Sequence, residues 1–358
     1  MTLILKNEEM EGLVSMPQLI QDMEDAFKEL AQGLAAQPPR WRIYFPLEPT
    51  ANYYWFNDMG GLVRKFRAMA LRIDSSFVRQ TIKDGQRRHE FPGDFVGLIL
   101  LFDIDTCRLL SIMDDHYLSP MRVAATAGVG IKHLSRPDSK LLGLLGSGEQ
   151  ARAHLLAACA ARDIKLAKVF SPTKEHRERF ADEMSPLVKA EIKVVESARK
   201  AVEGSDVVIA ATNSRTPVLD GNWLEAGSHV VAIVGGDAWG GALSKGDELD
   251  RTTYLRASTI TITYRQKVEA ERPGNLGDLL TSGELTWEKI QEIGEAISGR
   301  GKPRANREAI TVHKNQSAGI QFAVVAKRVY EAAKAKGIGF KLPDDLFLTK
   351  RGEDLWSP

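Results

Sequence analysis

Cysteine is almost absent from this chain: Cys107 and Cys159 are the only two among 358 residues. Their spacing matches neither a metal site nor a redox motif, so a disulfide scaffold and a thiolate metal centre are both excluded. Both are expected to be reduced, buried thiols in a reducing compartment, and no metal is expected. Long apolar runs are missing too. The longest, 96–102, is far too short to span a bilayer, and residues 1–11 mix charges with apolar groups and contain no signal-peptide core. The expectation is a soluble, cytoplasmic protein without a membrane partner. Nor does one sign of charge dominate, because 48 Lys and Arg face 47 Asp and Glu, a net charge of +1. Nothing in that balance calls for a nucleic-acid partner. There are no internal repeats and no low-complexity segments.

What is present divides the chain by rhythm. At the usual roughly 100–200 residues per domain, this length suggests two domains. Residues 13–34 place Met16, Leu19, Ile20, Met23, Ala26, Phe27 and Leu30 at helical spacing, and Gln37-Pro-Pro39 ends that helix. Strands are then expected at 41–45, 53–57, 68–73 and 95–103, the last joined by a tight turn to 108–114, a hairpin-rich antiparallel region. From about Lys140 short apolar strands alternate with helical stretches, at 141–145, 167–171, 191–195, 206–211, 229–234 and 259–263, which is the pattern of a parallel sheet covered by helices. A final helix over 318–335 stops near Gly337.

Directly after the strand 141–145 comes Gly146-Ser147-Gly148-Glu149-Gln150-Ala151, followed by an Ala- and Leu-rich helix. This is the dinucleotide fingerprint of a Rossmann-type sheet in the context it requires. Gly146 makes the tight turn, Gly148 lets backbone amides approach a pyrophosphate, and Ala151 keeps the helix close to the sheet. Gly146, Ser147, Gly148, Gln150 and Ala151 are therefore assigned to the cofactor. At the end of the second strand, where an acid would hold the ribose hydroxyls of NAD, the chain reads Ser171-Pro172-Thr173-Lys174. Hydroxyls and a cation suit a 2′-phosphate, so NADP(H) is favoured, and NAD(H) stays open through Glu175.

Several motifs in order, Leu118-Ser-Pro-Met-Arg122-Val-Ala-Ala-Thr126, Leu144 to Arg152, Ala211-Thr-Asn-Ser214, 227–237 with its Gly235-Gly236-Asp237, and Glu248-Leu249, resemble the ornithine cyclodeaminase/μ-crystallin family from about Pro38 to Gly339. The resemblance implies an α/β fold in which a Rossmann-type doubly wound parallel sheet, 131–315, is inserted into a smaller α+β substrate-binding and dimerisation domain made of 1–130 and 316–358. It implies a homodimer with the active site in the cleft between domains. It adds Thr212 and Ser317 as cofactor contacts, and it makes Arg122 and Arg40 the cations that bind a substrate carboxylate, with Arg42 as the alternative to Arg40. Asp237 follows a buried strand and two glycines, at the carboxyl edge where such sheets bind ligands. The resemblance implies that it moves a proton at the substrate nitrogen.

Two departures narrow the reading. Arg72 stands where the family commonly has lysine; it can hold a carboxylate, but it is a poor proton donor. Tyr53-Tyr-Trp-Phe56 stands where cyclodeaminases place a glutamate for the distal amine, which suggests an aromatic wall and an apolar or ring-containing substrate. Phe322 also lies near a position where aspartate is frequent. His116 and His313 are read as structural. The resulting expectation is an NAD(P)H-dependent ketimine reductase or amino-acid dehydrogenase, acting on a small amino, imino or 2-oxo acid, with Asp237 and Arg72 as reacting groups. A cyclodeaminase and a non-catalytic NADPH-holding protein are the alternatives.

Overall fold

The computed structural model describes residues 1–83, 86–234, 246–343 and 346–349, apart from the side chains of residues 83 and 86–88. The first eight strands are β1 (Thr2–Leu5), β2 (Ala35–Ala36), β3 (Trp41–Pro46), β4 (Tyr53–Val63), β5 (Ala68–Lys83), β6 (Gln86–Glu90), β7 (Val96–Asp103) and β8 (Leu109–Asp114). The next eight are β9 (Leu141–Leu145), β10 (Leu166–Phe170), β11 (Glu191–Val194), β12 (Val207–Ala210), β13 (His229–Ala232), β14 (Thr259–Ile262), β15 (Ile290–Glu292) and β16 (Thr311–Lys314). Last comes β17 (Phe340–Leu342).

These form two sheets. The first runs β17-β1-β8-β7-β5-β4-β2, with β3 also on β4 and β6 on β5. It is antiparallel except where β1 meets β8. Its strands β4 and β5 are much longer than the sequence pattern suggests, because polar residues recur on the inward face and mask the apolar alternation. The second sheet runs β11-β10-β9-β12-β13-β16-β14-β15, parallel throughout. The order reverses between β9 and β12, which makes the crevice at their carboxyl ends the ligand-binding position of such a sheet. The strands β1, β2, β6, β15, β16 and β17 were not foreseen. Each is short, and β16 in particular is fully buried, so no alternation betrays it.

Helices cover both faces of the parallel sheet and one face of the first. The amphipathic helix Met16–Ala31 and the C-terminal helix Gly319–Lys336 pack with the first sheet into one apolar core. The helix Leu118–Leu134 is buried nearly all round, and it feeds Leu118 and Val129 into that core while Ala127 and Ile131 enter the core under the parallel sheet. One rigid element thus spans both sheets and carries Arg122 in its first turns. The start of the C-terminal helix is equally constrained: a Cβ at Gly319 would collide with the Gly60 carbonyl oxygen, so only glycine lets this helix dock on β4. Cys107 is exposed and Cys159 only partly buried, correcting the expectation of two buried thiols. Cys107 lies in the β7–β8 turn at a φ of +58°.

Candidate active site

At the carboxyl end of β9 the chain must reverse sharply. Gly146 adopts a φ of +120°, and a Cβ there would collide with the Ala211 carbonyl oxygen. Gly148, the N-cap of the helix Glu149–Ala161, has no atom within 4 Å of its missing Cβ. That helix receives no side-chain cap, so its first amides face open space, and Ala151 is fully buried against the sheet. An uncapped helix start beside an open glycine fits an anionic phosphate group. Ser147 is fixed through its carbonyl, which accepts from Arg152 Nη1 at 2.6 Å. Ser171 and Thr173 follow β10, with Thr173 an unsatisfied N-cap. Lys174 is exposed beside them, and Arg177 Nη1 donates to the Ser171 carbonyl at 2.8 Å. No carboxylate occupies Ser171 to Lys174, and Glu175 is exposed on the first helical turn.

Thr212 is held by a residue quoted in the sequence motifs but given no role. Its amide and hydroxyl donate to Glu248 Oε1 at 2.6 and 2.8 Å, while the Ile233 and Val234 amides donate to Oε2 at 3.0 and 2.8 Å. Glu248 thus ties together the carboxyl ends of β12 and β13. Burial pushes its carboxyl up to about 7, opposed by Lys314 and by these donors. Lys314 is itself fully buried and ion-paired with Asp247, which also accepts from the Tyr254 hydroxyl at 2.9 Å. An acid whose folded pKa lies above its unfolded value adds stability below the unfolded value and loses it as pH rises through the folded one. The stability of Glu248→Gln relative to the wild type should therefore rise between about pH 4.5 and 7, by on the order of 3 kcal/mol. Urea unfolding at pH 5 and pH 8 checks this; equal differences at both would count against a perturbed Glu248.

The arginines converge from separate elements. Arg122 is 4% exposed, its Nη1 donates to Gln321 Oε1 at 2.6 Å, and its Nε has no partner. No carboxylate pairs with it among the described residues; its guanidinium instead lies 4.5 Å from the Phe322 ring centroid. Phe322 thus gives this cation an aromatic face and no charge of its own, and the nearby Asp115 favours its charged form without pairing with it. Burial, with Arg72 adding repulsion, pulls Arg122 down to about 9. Gln321 is a positioning residue that sequence reasoning missed: its amide also donates to Thr126 Oγ1 at 2.8 Å and its carbonyl accepts from the Ala318 amide at 3.0 Å. Its position one helical turn after the loop of Ser317 was the available signal.

Arg72 is 8% exposed and already engaged, by Asp115 through Nε and by Asp74 through Nη2 at 3.0 Å. Arg40 forms a two-pronged pair with Glu271 at 2.5 and 2.8 Å, and Arg42 Nε donates to Asn57 Oδ1 at 3.1 Å above the Trp55 ring. Ser317 accepts from the buried Lys267 through its carbonyl at 2.7 Å.

All of these meet in one cleft of about 490 Å³, lined by Arg40, Arg42, Arg72, Arg122, Ser317 and Gln150, the last from the helix that follows the glycine loop. It joins the two sheets. Both Arg40 and Arg42 reach it. Of the aromatic run 53–56 only Trp55 lines it, because successive strand side chains alternate faces; the rest of the wall comes from Phe77, Phe91 and Phe95. Gly146, Ser147, Gly148, Ala151, Ser171, Thr173, Lys174 and Thr212 belong to the sheet's edge and not to the cleft lining. His116 lines the cleft, 3.5 Å from Glu149, whereas His313 is buried in β16 against Thr261. Asp237 lies outside the described residues.

Fold and site together define an α/β protein with a Rossmann-type parallel sheet and a cationic cleft where that sheet meets an antiparallel one. The chain belongs to the ornithine cyclodeaminase/mu-crystallin family, whose sequence model matches residues 1–337. It is 29% identical over 345 residues to an alanine dehydrogenase of Archaeoglobus fulgidus, covering 95% of this chain and 98% of the relative. It is 30% identical over 332 residues to ketimine reductase mu-crystallin of Macropus fuliginosus, covering 92% and 96%. Among solved structures, that of Thermococcus litoralis Delta(1)-pyrroline-2-carboxylate reductase in complex with NADH and L-proline superposes with a TM-score of 0.80 at 30% identity, covering 95% of this chain and all of that one.

Proposed function

We propose that this protein is an NAD(P)-dependent oxidoreductase of the Cα–N bond, reducing ketimines of small carboxylic acids or, in reverse, oxidising amino or N-alkyl amino acids. The observation that carries the reading is Arg122, a buried guanidinium with no ion pair among the described residues, in a cleft shared with the first turn of the helix after the glycine loop. Such a cation is poised for a substrate carboxylate, and Arg40 and Arg72 surround the same space. The relatives named as ketimine and pyrroline-2-carboxylate reductases and alanine dehydrogenase support the same chemistry.

Gly146, Ser147, Gly148, Gln150 and Ala151 would hold the pyrophosphate of a nicotinamide dinucleotide, with Thr212 and Ser317 toward its nicotinamide end. Bound in reduced form, it would supply the hydride to the substrate Cα. Arg122 orients the carboxylate, the Arg72 cluster shapes the floor, and Asp237 transfers the proton at nitrogen. Ser171, Thr173 and Lys174 favour a 2′-phosphate and hence NADP(H) over NAD(H). Two copies would associate through the domain formed by 1–130 and 316–358, with 131–315 as the nucleotide domain.

The test is nicotinamide absorbance when the protein and NADPH or NADH meet cyclic ketimines, and 2-oxo acids mixed with amines. Net cofactor oxidation, faster with NADPH, is expected. Ammonia released from L-ornithine with NAD and no net reduced cofactor would replace this reading with a cyclodeaminase.

A further inference from the structure

The register of β4 and β5 sets Met59 opposite Arg72, Asn57 opposite Asp74 and Trp55 opposite Ser76, and all six side chains line the cleft. At about 3.3 Å per residue, Asp74 lies roughly 7 Å along the strand from Arg72, and Ser76 roughly 13 Å. This stretch of the wall carries polar atoms that the protein itself leaves unserved. Asp74 Oδ1 and Trp55 Nε1 are each buried without a hydrogen-bond partner, and Ser76 Oγ, which also lacks a well-formed hydrogen bond, lies near enough to Asp74 to favour its charged form. Leaving such a group unpaired costs about 1–3 kcal/mol; Trp55 Nε1 can only donate, so it is the Asp74 oxygen, with the Ser76 hydroxyl beside it, that points to a donor-bearing ligand.

Charge points the same way. Arg72 already has Asp115 as counter-ion, so Asp74 is a second carboxylate on one guanidinium, through Oδ2 alone. Burial raises the Asp74 pKa, opposed by Arg72 and more weakly by the Ser76 hydroxyl, and assisted by Asp115. Beside this spot the wall is aromatic, with Arg42 above it: Trp55 stacks on Tyr44 with centroids 5.8 Å apart and on Phe91 at 5.3 Å.

We propose that Asp74 is the specificity-determining acceptor of the cleft, receiving an ammonium or hydroxyl group at the far end of a substrate side chain that packs along Trp55 and Phe91. This rests on the proposed function for the placement of the carboxylate at Arg122. It also changes the substrate class expected from the aromatic run alone, because an apolar side chain with no polar end would leave the buried Asp74 oxygen unsatisfied.

The test is calorimetric binding, at saturating NADP+ or NAD+, of paired amino acids: L-lysine against L-norleucine, and L-tyrosine against L-phenylalanine. In the wild type at least one donor-bearing member should bind about tenfold or more tighter than its partner, as a hydrogen bond to a charged group allows. In Asp74→Asn, which keeps an oxygen for Arg72, that ratio should fall to within about threefold. An unchanged ratio in the variant, an equal loss for both members of each pair, or a wild type that prefers norleucine and phenylalanine overturns the proposal. Should Asp74→Asn fail to fold, Ser76→Ala and Trp55→Phe carry the test, and ratios unmoved in both overturn it. Discrimination in binding without any turnover would sink the reductase reading and leave Asp74 in place. Turnover with equal ratios would do the reverse.

Discussion

The Arg122→Met variant should resist heat at least as well as the wild type in the absence of ligands, yet lose roughly 30-fold to several thousand-fold in kcat/KM for carboxylate substrates. The two expectations have one cause. A guanidinium removed from water with no ion pair among the described residues has a desolvation penalty of several kcal/mol that the free protein repays only in part. Phe322 at 4.5 Å and the bond to Gln321 offset only part of it. Methionine fills a similar volume and removes the penalty, and Gln321 keeps the Ala318 amide as donor to its carbonyl. What disappears is the group the substrate would neutralise, and losing one side of a buried charge pair costs about 2–5 kcal/mol. Arg122→Lys keeps the charge without the planar fork and should recover only part of the loss. Thermal unfolding and steady-state kinetics on a carboxylate ketimine and its methyl ester check the pair. Normal kcat/KM in Arg122→Met would mean that the carboxylate binds elsewhere.

The Asp237→Asn variant should bind nicotinamide dinucleotide with nearly the wild-type affinity while its turnover falls by roughly two to four orders of magnitude, the usual effect of losing a general acid–base group. Asp237 follows β13 along the chain. The strand's last residues are fully buried, and the two amides beyond it, of Ile233 and Val234, are held by Glu248 at 3.0 and 2.8 Å. The chain therefore enters 235–237 from a fixed point on the carboxyl edge of the sheet, one strand removed from the glycine loop of β9. Asparagine preserves size and hydrogen bonding but cannot exchange a proton near neutrality, which separates proton transfer from positioning. Cofactor fluorescence titration and turnover on a cyclic ketimine, measured side by side, give the answer. If turnover is unchanged, Asp237 is out of the mechanism and the proton comes from solvent.

The nucleotide half of the molecule was largely legible in advance because its determinants are local. Gly146, Gly148 and Ala151 are dictated by a turn, an open approach and a close packing within six consecutive residues, and buried parallel strands announce themselves as apolar runs. The strand that completes the sheet, β16, escaped notice because its Thr311-Val312-His313-Lys314 mixes polar and apolar residues that are all buried, the polar ones satisfied only by distant partners such as Thr261 and Asp247.

The sequence by itself determined the α/β class and the glycine turn, which depend on residue type and near neighbours, and through its resemblance to a family it singled out Arg122, Arg72 and Arg40, with Arg42 as the alternative to Arg40, as candidate anion binders. Only the tertiary structure decided how those arginines differ. Arg40 is matched by Glu271, 231 residues away, Arg72 by Asp115 and Asp74, and Arg122 by no carboxylate among the described residues. It also decided that Trp55, Asp74 and Ser76 share one wall, through a strand register rather than through proximity along the chain. Burial and charge compensation depend on which distant groups are brought within a few ångströms, and no spacing along the sequence records that.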